Sequence, residues 1–116
     1  MTWQEAKSAA VPLAEHLLRE RPDGSRPTVS DLIVLTDFED EASHDFFKPE
    51  DRWSLTFHRM INKAVLRELS RRGYTVAVVK IGLAEYYDWL PRQSRPDDAN
   101  ARADFAAEKT QNEIEN

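Results

Sequence analysis

The sequence predicts an α+β fold: a small, predominantly helical single domain with one long amphipathic helix and one or two β-strands. Three observations carry that expectation. The stretch 49–72 holds two rows of residues at i, i+4 spacing, one apolar and one basic. Tyr74 to Ile81 is dominated by β-branched residues, which suit a pleated strand. The chain is 116 residues long, which bounds it to roughly one domain with one modest core.

The first element is a helix opened by Thr2. Thr2 and Glu5 have capping-box spacing, and Trp3, Ala6, Ala10, Leu13, Leu17 and Leu18 recur at helical period. Pro12 interrupts the run and predicts a kink. Arg21 to Pro27 carries two prolines and a glycine and reads as a loop.

Thr28 to Phe38 stays open between two readings. Leu32-Ile33-Val34-Leu35 favours a strand, whereas Thr28, Ser30 and Asp31 offer helix N-cap chemistry. Asp37 to Asp51 carries seven acids and one base and is expected to contain an exposed loop pinned by Phe46 and Phe47. Pro49 then suits the first position of the long helix, with Glu50 and Asp51 in its first turn.

In that helix, Phe57, Ile61, Val65 and Leu69 form the apolar row and Arg59, Lys63, Arg67 and Arg71 the basic one. The rows are offset by two residues, which puts them about 200° apart on the cylinder. One row faces the core and the other faces solvent or a partner. Gly73 ends the helix. After the strand 74–81, Gly82 begins a short helix with Leu83, Tyr86, Tyr87, Trp89 and Leu90, and Pro91 stops it. Residues 97–107 suggest a last helix anchored by Phe105. Residues 1–107 are expected as one compact domain and 108–116 as a polar tail that frays. The expected core is Trp3, Leu17, Phe57, Ile61, Val65, Leu69, Val76, Val78 and Trp89. Two strands alone make a marginal sheet, so a homodimer is among the expectations.

Sixteen basic and twenty-one acidic residues give a net charge of −5, which argues against coating nucleic acid by bulk charge. The absence of cysteine excludes disulfides, thiolate metal sites and a cysteine nucleophile. No apolar run approaches the roughly 20 residues that cross a bilayer, and the N-terminus shows no signal pattern, so the expected location is the cytoplasm. No glycine-rich phosphate loop, nucleophile elbow or histidine metal motif occurs, and no cofactor is expected.

The local charge is the sharpest functional signal. From Arg52 to Gly73 there are six bases and one acid. Four stacked cations repel one another, and arginine suits bidentate contact with oxyanions. The leading expectation is therefore a small cytoplasmic, non-enzymatic adaptor that docks a partner protein through Arg59, Lys63, Arg67 and Arg71, with Tyr87 as an exposed aromatic that also binds the partner. A nucleic-acid-binding regulator using the same helix is the alternative. A small metal-dependent enzyme using Asp37, Glu39, Asp40 and His44 is the second alternative. The bland reading is a solvated basic face neutralised by the acidic segment 37–51 or by the acidic tail.

Overall fold

The computed structural model describes residues 2–115, and side chains as far as Asn112. The order of elements is α1 (Trp3–Leu17), β1 (Leu32–Phe38), α2 (Glu41–Phe47), α3 (Leu55–Arg71), β2 (Thr75–Ile81), α4 (Leu83–Trp89), a 3-10 turn (Leu90–Gln93) and α5 (Ala99–Glu115). β1 and β2 form a two-stranded parallel sheet. The α+β class read from the sequence is the one observed.

The chain divides into two compact units. One comprises Met1–Leu35 with Thr56–Val78, the other Thr36–Leu55 with Val79–Asn116. In the first, α1 starts where Thr2 accepts the backbone N–H of Glu5 at 3.2 Å. The reciprocal half of the capping box is replaced: the Thr2 hydroxyl also donates to the Glu5 carboxylate. The helix runs on through Pro12 and buries Ala6, Ala10 and Ala14. α3 buries Phe57, Ile61, Ala64, Val65 and Leu69, the expected apolar face. It closes as a Schellman motif: Tyr74 N–H bonds to Leu69 C=O, Gly73 N–H bonds to Ser70 C=O, and Gly73 sits at φ 94°. Only glycine takes that backbone conformation without steric cost.

In the second unit, Phe38, Phe47, Tyr86 and Phe105 make an aromatic core with ring centroids 5.4–6.1 Å apart. Such offset and edge-on pairs contribute beyond their buried area. Tyr86 is fully buried, and its hydroxyl donates to Asp97 at 2.6 Å. Arg102 grips the same Asp97 through Nε at 3.0 Å and lays its guanidinium 4.0 Å from the Phe46 ring centroid. α5 is held as far as Lys109: Arg95 pairs with Asp104, Trp89 Nε1 donates to Glu108, and Lys109 donates to Glu85. It continues past Ala107, where the apolar pattern of the sequence stops, to Glu115; Asn116 lies outside the described residues.

One open reading is resolved, one expectation is extended and two are corrected. The open segment 28–38 is a turn followed by a strand. Asp31 accepts the backbone N–H of Thr28 at 2.8 Å, so its carboxylate closes the turn and caps no helix. The acidic stretch 37–51 contains the expected exposed loop, from residue 48 on, and also a helix that the sequence reading did not include, Glu41–Phe47. Its cap is Asp40, which accepts the Ser43 N–H at 2.8 Å. The long helix begins at Leu55 and not at Pro49, because its first N–H finds an acceptor in Glu41. Finally, Val78 is 45% exposed and does not belong to the core, whereas Trp3, Leu17, Val76 and Trp89 are partly covered at its margin; the inward residues of β2 are Val79 and Ile81.

Candidate docking face on α3

Helical spacing puts Arg59, Lys63, Arg67 and Arg71 one turn apart on a single face, and all four are exposed. Their immediate chemistry differs. Arg71 forks onto Glu68 through Nη2 at 2.6 Å and Nε at 3.3 Å. Arg72, one residue further, bonds Glu68 at 2.9 Å and Glu15 of α1 at 2.8 Å. Hydrogen bonds from Arg71 first, and Arg72 second, hold the Glu68 carboxyl below its usual range. Arg67 places its guanidinium 5.3 Å from the Trp3 ring centroid, within cation–π range. Lys63 carries no partner among the described residues.

These contacts align α1 beside α3 and leave a groove of about 410 Å3 between them. Its floor includes the buried Ala10 and Ala64. Trp3, Lys7 and Val11 line the α1 side; Arg67, Glu68 and Arg71 line the α3 side. Sequence reading missed this arrangement. Lys7 and Val11 look like ordinary surface positions until α1 is placed against α3. The one available signal was the i, i+4 row Trp3, Lys7, Val11, which runs beside the alanine stripe.

The charges divide unevenly. The unit with α1 and α3 holds nine bases and six acids, the other seven bases and fifteen acids. A net charge of −5 thus conceals a unit of +3. Tyr87 lies in the acidic unit. It is 51% exposed, with its ring 5.7 Å from both Phe46 and Tyr86.

The acids of 37–51 have local work. Asp40 caps α2, both oxygens of Glu41 accept the Leu55 N–H at 3.1 and 3.2 Å, and Asp37 accepts the N–H of Phe38. The Ser43 hydroxyl, buried on the same short helix, accepts the first N–H of α4 from Leu83 at 3.0 Å. His44 is buried, with Nε2 3.0 Å from Asp51 and its ring 5.4 Å from that of Phe38. Among the described residues, Asp37, Glu39, Asp40 and His44 do not converge within the reach of a shared ion. No protein-family model, curated protein or solved structure matches the chain.

Proposed function

We propose that the chain is a small non-enzymatic binding protein, an adaptor, that docks an acidic surface of a partner protein through Arg59, Lys63, Arg67 and Arg71. The supporting observation is the exposure of all four cations on a unit with net charge +3. Rows of exposed like charge give little to a fold and much to the speed and selectivity of encounter. Arginine forks suit carboxylates and phosphates alike, and the net charge of −5 disfavours the polyanion of the two.

The test is a paired reversal, Lys63→Glu with Arg67→Glu, measured against a fluorescein-labelled acidic peptide and a labelled DNA duplex. Exposed charges contribute about 0–1 kcal/mol each and the Arg67–Trp3 contact about 0.5–1 kcal/mol, so the double variant should stay folded at slightly lower stability. The parent should bind the acidic peptide and the variant should not. Binding by the duplex alone, with affinity falling about 0.9 log unit per phosphate contact per log unit of salt, would replace the protein partner with nucleic acid. A folded variant that binds the acidic peptide as tightly as the parent would remove the docking role.

A further inference from the structure

The groove between α1 and α3 has features that the basic row alone does not. Its floor is apolar and made of small residues, Ala10 and Ala64. Val11 is 48% exposed and Trp3 half-buried on its α1 side, so apolar surface is left in contact with solvent. Cations stand on both sides: Lys7 on α1, Arg67 and Arg71 on α3. The acid in the lining, Glu68, is already held by Arg71 and Arg72, so its charge is compensated. An occupant therefore meets an apolar strip bordered by positive charge on both flanks.

We infer that this groove receives an amphipathic helix of a partner protein, whose apolar row is flanked on both sides by aspartate or glutamate. This rests on the docking function proposed above and names the partner's form. The spacing argues for a helix. Trp3, Lys7 and Val11 repeat at i, i+4, as do Arg67 and Arg71, so each wall offers a contact about every 6 Å along its axis. A third helix laid between two helices presents side chains with the same period, in the helix-in-groove mode. Charge complementarity supplies the rest. An occupant with basic flanks would place like charges against Lys7, Arg67 and Arg71. One without an apolar row would leave Val11 and Trp3 unmatched.

Random peptides displayed on phage would be selected against the full chain, and the enriched sequences synthesised and labelled for anisotropy titration. The expected sequences carry Leu, Ile or Phe at i, i+3 or i+4, and i+7, with acids to either side. Val11→Asp and Lys7→Glu, each at an exposed position, should weaken the synthesised peptide about tenfold or more, while Val11→Ile should preserve binding. Lys63 lies on the basic row but does not line the groove, so Lys63→Glu separates the two claims. Acidic peptides that lose affinity with Lys63→Glu but are indifferent to Val11→Asp and Lys7→Glu would overturn the groove and leave the basic row as the docking face. Enrichment of basic or uncharged peptides would overturn both.

Discussion

Glu41, the first residue of α2, accepts the backbone N–H of Leu55, the first residue of α3, with both carboxylate oxygens. An acid from a segment that looks like solvent-exposed ballast thus serves as the N-terminal partner of the helix that carries the basic row. The carboxylate satisfies a donor that has no acceptor within its own helix, and its charge suits the positive end of the helix dipole.

Glu41→Ala should consequently lower stability by about 1 kcal/mol, the usual size of a lost cap. Urea unfolding followed by circular dichroism measures it. Glu41→Gln retains an acceptor and should recover much of the loss. Equal midpoints for parent and Glu41→Ala would mean that the contact contributes nothing.

Ile61 is 3% exposed on the apolar face of α3. Ile61→Ala should cost about 2–5 kcal/mol through lost burial and the cavity left behind. A change under about 0.5 kcal/mol, typical of a surface site, would contradict the packing described for this face.

The Tyr86, Asp97 and Arg102 cluster predicts behaviour at both ends of the pH scale. Burial, then the hydrogen bond to Asp97, pushes the Tyr86 phenol up to about 12 from a reference of 10.0. A raised folded pKa means stability that is complete below about pH 10 and lost as pH rises towards 12. Hydrogen bonds from Arg102 first, and from Tyr86 second, hold the Asp97 carboxyl below its reference of 3.8. A lowered folded pKa means stability present above that reference and lost as pH falls through the folded value. Tyr86→Phe should therefore cost about 0.5–1.5 kcal/mol at neutral pH and shrink the fall in urea midpoint between pH 10 and 12. An alkaline limb as steep in Tyr86→Phe as in the parent would assign that limb to other groups.

Magnesium should leave the melting temperature unchanged, because Asp40 Oδ1 and both Glu41 oxygens already accept backbone N–H groups. A ligand bound only by the folded state would raise it. A saturable rise abolished by Asp37→Asn would restore the metal-dependent alternative.

What the sequence disclosed follows the range of the interactions involved. Thr2, the row from Phe57 to Leu69, and Gly73 act within a turn or two of the chain, and each does what its spacing implies. The start of α3 was misread because Pro49 has good local chemistry, while the acceptor for Leu55 sits fourteen residues upstream. α2 was missed for a similar reason. Phe47 stacks on Phe38 and Phe105, and the latter is distant in sequence. The basic row was legible as a periodicity. The groove beside it was not, because Val11 and Arg67 become neighbours of one space only through the placement of α1.

The alanine stripe of α1 also bears on how this chain can vary. Ala6, Ala10 and Ala14 are enclosed at 0, 2 and 0% exposure. Alanine has no rotamers to lose, so docking this face carries little side-chain entropy cost. Its methyl groups also leave nothing that can rearrange to admit a bulkier neighbour. Exchange for glycine removes one methyl and adds backbone freedom, at about 1 kcal/mol in helix propensity. At Ala6 and Ala14, both at 0% exposure, exchange for valine or leucine must displace surrounding atoms and typically costs about 1–3 kcal/mol. Mutational tolerance along this face is therefore directional: its side chains can shrink at modest cost, whereas growth requires a compensating change in whatever encloses them.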